Sequence, residues 1–226
     1  MNILTKRILT SLVLLSLLIV AIFNSFIMII LLILISIISL LEFNGLITKI
    51  LVKDNLKNNL SRLSLNVIFL LYLFFFSGLV FDVITQEQPQ IKLNIIYLFF
   101  ICICSDIGGF IFGKTFKGKK LTKISPNKTI TGSVGSFILP LTLVPIFFYL
   151  LPEKFNDLFD LIILAIIVSF MCQLGDLFIS YLKRKANVKD TGNLLPGHGG
   201  LLDRIDGIIF AVPFGMMLWE FLIVVI

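Results

Sequence analysis

Long apolar stretches alternate with short polar stretches along the whole chain. A bilayer core about 30 Å thick needs about 20 helical residues, so apolar runs of this length predict membrane-spanning helices rather than the short alternating strands of an outer-membrane barrel. Seven spans are predicted: two within residues 8–43, separated by a break at Asn24 and Ser25, and then residues 63–81, 93–113, 132–151, 158–180 and 205–226. The predicted fold is an all-α, polytopic membrane helix bundle of about seven transmembrane helices.

The composition supports this fold class and excludes several others. Hydrophobic residues make up 58% of the 226 residues, only 14% are charged, and the mean hydropathy is +1.07. A soluble domain carries about a quarter charged residues, so a soluble globular domain, a disordered chain and a disulfide-stapled module are all excluded. The three cysteines, Cys102, Cys104 and Cys172, lie in apolar runs without C-x-x-C spacing. They are interpreted as free thiols rather than as a disulfide framework or a zinc site.

The basic residues predict an orientation. Lys and Arg accumulate in the cytoplasmic loops of membrane proteins. All of the 19 basic residues except Lys92 and Lys154 fall on one side of the seven predicted spans. The N-terminus is therefore predicted to be cytoplasmic and the C-terminus to lie outside. Charges in short loops beside a membrane suit anionic headgroups or phosphates better than nucleic acid. The apolar run after Lys6 and Arg7 lacks a small-x-small cleavage pattern and is interpreted as a retained first helix.

Four carboxylates approach the predicted cytoplasmic face. Asp106 lies in the fourth span, Asp176 in the sixth, and Asp203 and Asp206 at the start of the seventh. Ionisable residues within spans are costly and usually functional. Magnesium prefers oxygen ligands and leaves positions for phosphates. We therefore predict that Asp176, Asp203 and Asp206 hold one divalent ion or a close pair, with Ser180 as a hydroxyl ligand.

A structural alternative accounts for the same acids. In that interpretation Asp203 only caps the last helix, and Asp176 forms an ion pair with Lys183, which follows it at helical spacing. The convergence of several carboxylates at one membrane face favours the metal site over this alternative.

Two polar loops carry the remaining candidate chemistry. The first contains Ser125-Pro126-Asn127-Lys128-Thr129, just before a predicted helix start, where backbone N–H groups bind anions. Phosphate or headgroup contact is predicted there. The nearby Lys117, Lys119 and Lys120 are interpreted as charges that only keep this loop on the cytoplasmic side.

The second loop surrounds the only histidine, His198, with three glycines, Gly197, Gly199 and Gly200. Glycines make a tight turn accessible, and this turn leads directly into Asp203 and Arg204 at the membrane surface. His198 is predicted to contact a ligand, and no role as a base is assigned to it.

This second loop resembles the signature of the phosphatidate cytidylyltransferases, also called CDP-diacylglycerol synthases. The matching positions are Ser180, Leu182, Lys183, Arg184, Lys189, Asp190, Gly192, Leu195, Pro196, His198, Gly199, Gly200, Asp203, Arg204 and Asp206. Two upstream segments, beginning at Ser105-Asp106 and at Ser125-Pro126, are similar to the other cytoplasmic segment of that family. The resemblance covers the chain from Cys104 onward, whereas the first three spans match only in hydropathy.

The chain departs from the family pattern at two positions. Thr131 stands where the family often has Glu, which excludes a catalytic carboxylate there, and Ser136 stands in place of a glycine. The chain is also short for the family. Residues 1–92 are predicted to form N-terminal transmembrane helices. Residues 93–226 are predicted to form the catalytic membrane domain, with cytoplasmic loops 114–131 and 181–204.

The resemblance implies CMP transfer from CTP to phosphatidate, giving CDP-diacylglycerol and pyrophosphate, in phospholipid biosynthesis at the inner (plasma) membrane. It further implies Mg²⁺ as cofactor and a homodimer. The predicted catalytic residues are Asp176, Asp203, Asp206 and Lys183. The predicted metal ligands are Asp176, Asp203, Asp206 and Asp106. The predicted substrate-binding residues are Ser125, Asn127, Lys128, Thr129, Ser180, Arg184, Lys189, His198, Gly199, Gly200 and Arg204.

Three other functions are weighed against this one. A CTP-dependent polyprenol kinase or an archaeol-type cytidylyltransferase would keep the acids and change the lipid. A small transporter would place its acids near the membrane midplane between internal repeats, whereas here they lie at one edge and no repeat is seen. An inactive relative is disfavoured because the acids are intact.

Overall fold

The computed structural model describes residues 13, 16–53, 55–86, 89–122, 124–125, 127–151, 158–194 and 199–225, and α-helices dominate these ranges. The helices are α1 (Ser25–Ile50), α2 (Leu56–Thr85), α3 (Pro89–Phe116), α4 (Ile130–Leu141), α5 (Val144–Leu150), α6 (Leu158–Lys185) and α7 (Leu202–Val225). Within the described part, six segments are long and apolar enough to cross a membrane, with α4 and α5 counted together. The predicted helical membrane fold is confirmed. The predicted cytoplasmic N-terminus stays a prediction.

The predicted break between the first two spans is confirmed at Asn24. Residues 16–23 are helical, and α1 begins directly after Asn24. The Asn24 side chain accepts hydrogen bonds from the backbone N–H groups of Phe26 (3.1 Å) and Ile27 (3.2 Å), as a helix N-cap does. The start of the first predicted span, before residue 13, lies outside the described residues.

The fifth predicted span, residues 132–151, is not one continuous helix. Helix α4 ends at Leu141, and α5 begins at Val144 after a turn at Thr142 and Leu143. Pro145 lies at the start of α5, where its missing N–H costs little.

The chain divides into two compact units, which are described separately. The first comprises Met1–Glu87 and Leu182–Ile205, and the second comprises Gln88–Tyr181 and Asp206–Ile226. The loop that carries the signature therefore belongs to the same unit as the N-terminal helices.

In the first unit, α1 and α2 pack against each other as an antiparallel pair. The hydroxyls of Ser36 and Ser77 lie 3.1 Å apart, the rings of Phe43 and Phe69 stack with centroids 4.1 Å apart, and Asn66 donates to Asn44 at 2.9 Å. Partners therefore run in opposite chain order along the pair. Polar contacts of this kind commonly join membrane helices.

In the second unit, small residues let the helices approach closely. A Cβ atom on Gly108 of α3 would lie 2.3 Å from the carbonyl oxygen of Gly135 in α4. A Cβ atom on Gly175 of α6 would lie 2.4 Å from the carbonyl oxygen of Asp206, and one on Gly207 would lie 2.5 Å from the sulfur of Cys172. Backbone contact between α6 and α7 therefore brings Asp206 beside the residue that precedes Asp176.

Candidate functional site

The side chain of Asp203 is more enclosed than that of Asp176, the other predicted acid that forms an ion pair with a lysine. The Asp203 side chain is 5% exposed and lies in the first turn of α7. Oδ1 accepts a hydrogen bond from the Lys183 ammonium at 2.6 Å. Oδ2 accepts from the backbone N–H groups of Thr191 (2.8 Å) and Gly200 (3.1 Å) and lies 3.0 Å from the Thr191 hydroxyl. Both oxygens are therefore engaged, and the carboxylate joins the helix to the loop before it.

Lys183 reaches Asp203 because α6 continues beyond Ser180. The span was predicted to end at Ser180, whereas the helix continues to Lys185. This additional turn carries Lys183, whose side chain is 14% exposed, to its ion-pair partner. The alternative pairing of Lys183 with Asp176 is wrong, since the structure pairs Lys183 with Asp203 and Asp176 with Lys128.

Glu42 of α1 was missed by the sequence analysis. It is 9% exposed, and its carboxylate accepts hydrogen bonds from the N–H groups of Leu201 and Leu202, both at 2.9 Å. The Thr191 hydroxyl lies 2.7 Å from the same carboxylate. The position of Glu42 inside the apolar run of the second predicted span was the signal that could have identified it, because ionisable residues within spans are costly and usually functional.

The second unit also contains a lysine–carboxylate pair. Asp176 of α6 forms an ion pair with Lys128, which precedes α4, and both side chains are 29% exposed. The hydroxyl of Ser180, one turn further along α6, donates to Asp176 Oδ1 at 3.3 Å. Asp176 and Ser180 therefore lie on the same face of α6.

Backbone hydrogen bonds hold Lys128 and Thr129 in place at the start of α4. Leu121 donates to the Lys128 carbonyl at 2.8 Å, and Lys120 and Thr129 form an isolated antiparallel bridge. The Thr129 hydroxyl accepts from the Gly132 N–H at 3.1 Å and so caps the helix. The prediction that these residues stand just before a helix start is confirmed.

The other two predicted acids also lie in the second unit. Asp106 Oδ1 of α3 is 4.0 Å from the sulfur of Cys172, which lies one turn before Asp176 on α6. Asp206 Oδ1 accepts from the Gly207 N–H at 2.9 Å, beside the contact between α6 and α7. Asp106, Asp176 and Asp206 therefore lie in one unit, while Asp203 lies in the other.

The remaining predicted residues differ in exposure. The side chains of Asn127, Arg184, Lys189 and Arg204 are exposed. The Ser125 N–H donates to the Thr122 hydroxyl at 3.2 Å. Gly199 has a φ of +86°, which favours glycine, and Gly200 is buried. His198 lies outside the described residues, so its predicted ligand contact stays a prediction.

The predicted metal site stays a prediction. In the ranges that the structure describes, no three His, Cys, Asp or Glu side chains are grouped so that they could hold a metal ion. Within each unit the available ligands suit a hard cation: the second unit offers the Asp176 carboxylate and the Ser180 hydroxyl, the first offers the Asp203 carboxylate, and Mg²⁺ prefers such oxygen ligands. Each of these two carboxylates is also paired with a lysine.

Together, the apolar helices define an integral membrane protein, and each of its two units contains a lysine–carboxylate pair: Lys183 with Asp203 in the first and Lys128 with Asp176 in the second. The model of the cytidylyltransferase family matches residues 5–222, and the chain belongs to this family.

Several relatives from bacteria share this similarity. The chain is 44% identical over 137 residues to a phosphatidate cytidylyltransferase of Rickettsia typhi. The aligned region covers 57% of this chain and 58% of the relative. It is 38% identical over 141 residues to one of Bacillus subtilis, covering 61% and 52%. It is 39% identical over 137 residues to one of Staphylococcus saprophyticus, covering 60% and 52%. The matched region thus spans little more than half the length of these relatives.

Proposed function

We propose that the protein is a phosphatidate cytidylyltransferase, which transfers CMP from CTP to phosphatidate and releases pyrophosphate. The observation that carries this proposal is the match of residues 5–222 to the cytidylyltransferase family, with relatives of 38% and 44% identity that bear this name. The intact Lys183–Asp203 and Lys128–Asp176 pairs support an active enzyme rather than an inactive relative.

The proposed reaction needs no nucleophile from the protein. A phosphate oxygen of phosphatidate attacks the α-phosphorus of CTP, a new P–O bond forms, and the bond to the β-phosphate oxygen breaks. Because every reacting group is anionic, catalysis depends on positioning and on stabilising negative charge. Lys128, Lys183, Arg184, Lys189 and Arg204 are the proposed cationic partners of the phosphates. Ser125, Asn127 and Thr129 are proposed to bind the triphosphate or the lipid phosphate.

Magnesium is the proposed cofactor, and Asp176, Asp203 and Asp206 are its proposed ligands, with Asp106 and Ser180 as further donors. When bound, the ion would neutralise phosphate charge and stabilise the departing pyrophosphate. The hydrogen bonds to Asp203 and Asp176 orient these two carboxylates. They also limit how many further hydrogen bonds each carboxylate can accept.

The site is proposed to face the cytoplasm from the inner membrane. The basic loops before α4 and after α6 support this orientation, because Lys and Arg accumulate in the cytoplasmic loops of membrane proteins. CTP is a cytosolic nucleotide, and the acyl tails of phosphatidate can stay in the leaflet while the headgroup reaches the loops. The homodimer stays a prediction.

Turnover by the purified protein in detergent tests the proposed function. With CTP, Mg²⁺ and phosphatidate together, we expect pyrophosphate release and a lipid product with the mass of CDP-diacylglycerol. Omitting any one of the three should abolish product. Turnover only with a polyprenol or an archaeal ether lipid would contradict the proposed substrate, and no turnover with any lipid from folded protein would contradict the proposed activity.

Removal of divalent cations should stop the reaction. We expect excess chelator to lower turnover by a factor of about 100 or more, because metal ions supply much of the charge stabilisation in phosphoryl transfer. Addition of Mg²⁺ beyond the chelator should restore the rate, which distinguishes metal removal from damage to the protein. Full turnover in excess chelator would refute the metal proposal.

A further inference from the structure

Glu42 places a buried carboxylate against the loop that carries Asp203. Within the first unit, its Oε1 accepts from the Leu201 N–H and its Oε2 from the Leu202 N–H, both at 2.9 Å. These N–H groups belong to the residues that open α7, where a helix leaves N–H groups unsatisfied and attracts negative charge. Glu42 therefore caps α7 from a helix that lies about 160 residues earlier in the chain.

Two signature glycines make room for this carboxylate. A Cβ atom on Gly192 would lie 2.5 Å from Glu42 Oε1, and one on Gly200 would lie 2.5 Å from Oε2. A side chain at either position would displace the carboxylate or the loop. The loop and Glu42 therefore fit each other at both ends of residues 192–200.

Thr191 connects Glu42 to Asp203. Its hydroxyl oxygen lies 2.7 Å from Glu42 Oε2 and 3.0 Å from Asp203 Oδ2. A hydroxyl has one proton, so it donates to one carboxylate at a time. Because Thr191 and Gly200 also donate their N–H groups to Asp203, both backbone partners of Asp203 lie in the segment that Glu42 contacts.

We infer that Glu42 is a positioning residue for the reaction: it fixes the loop so that Asp203 and Lys183 keep their geometry. The kinetic part of this inference rests on the proposed function, whereas the structural part does not. Removing a buried hydrogen-bonded carboxylate leaves several donors without a partner, which is costly.

Glu42→Gln tests this role, because glutamine has nearly the same shape but no charge and must turn its amide group toward N–H donors. We expect kcat to fall about tenfold or more, the size seen when a supporting hydrogen bond at a site is lost, with KM for CTP nearly unchanged. Glu220→Gln is the matched control, because Glu220 is an exposed carboxylate of α7. Thr191→Val should lower kcat in the same way, and Thr191→Ser, which keeps the hydroxyl, should rescue it.

A spin label at Asn193 provides a readout that does not depend on turnover. Asn193 is exposed in the loop, and the label would be introduced as Asn193→Cys in a variant with alanine at Cys102, Cys104 and Cys172. We expect Glu42→Gln and Thr191→Val to increase label mobility, and Glu220→Gln and Thr191→Ser to leave it unchanged. If Glu42→Gln fails to fold by size-exclusion chromatography, the Thr191 variants carry the test.

Unchanged kcat or unchanged label mobility in the folded variants would overturn the positioning role. If the unsubstituted protein shows no turnover, the proposed function fails, while label mobility still decides whether Glu42 fixes the loop.

Discussion

Asp203→Asn is expected to lower turnover by a factor of about 100 or more, the size typical of losing a group that stabilises transition-state charge. Asparagine keeps the shape of aspartate but has no charge, so it no longer forms the ion pair with Lys183. Its amide nitrogen would also face either this ammonium or the N–H groups of Thr191 and Gly200. The measurement is CDP-diacylglycerol formation by the purified variant at saturating CTP, phosphatidate and Mg²⁺.

Asp82→Asn is the control, because Asp82 is an exposed carboxylate of α2, and its turnover should stay unchanged. Near-normal turnover by folded Asp203→Asn protein would remove Asp203 from the catalytic machinery. If Asp203→Asn fails to fold, Lys183→Gln tests the other half of the pair. Lys183 is less enclosed than Asp203, so its loss is expected to be better tolerated by the fold.

Local signals in the sequence predicted most of the helical architecture. Apolar length located the six described spans, and the polar side chain of Asn24 located a helix start that its own oxygen caps. The division of the fifth span at Thr142 was not predicted, because the residues around Thr142 are as apolar as those of an uninterrupted membrane helix. Likewise, hydropathy ended the sixth span at Ser180, although α6 continues through three basic residues. Hydropathy measures how a segment suits lipid, not where its backbone hydrogen bonds stop.

The candidate site was also predicted only in part, because local sequence patterns do not show which distant residues meet. Residue type and spacing predicted Asp176, Lys183 and Asp203 as candidate site residues, but they did not predict the ion pairs that the structure contains. Lys128 is 48 positions from Asp176, and Glu42 lies 149 positions before Thr191, so no helical periodicity connects these partners. Such contacts depend on how distant helices pack. An acid in the second span was visible in the sequence, but its partner was not.

The Lys128–Asp176 pair provides the second large expected effect. Both side chains are 29% exposed, and an ion pair of this exposure contributes only about 0–1 kcal/mol to stability. As proposed, Lys128 binds a phosphate and Asp176 binds the metal ion. Each side chain is then needed for its own ligand rather than for the ion pair. We expect Asp176→Asn and Lys128→Met each to lower turnover by a factor of about 100, the size typical of lost charge stabilisation. Thermal unfolding should change little.

The charge-swapped variant, Lys128→Asp with Asp176→Lys, separates a catalytic role from a structural one. The swap keeps an ion pair but exchanges the two charges, so a purely structural pair would retain turnover. The proposal predicts that the swapped protein folds and is inactive, since a metal ligand and a phosphate partner would each have the wrong charge. Lys119→Met is the matched control, because Lys119 is an exposed lysine of the same loop and should tolerate the change. Turnover restored by the swap would assign both residues to the fold and leave the chemistry to Asp203 and its partners.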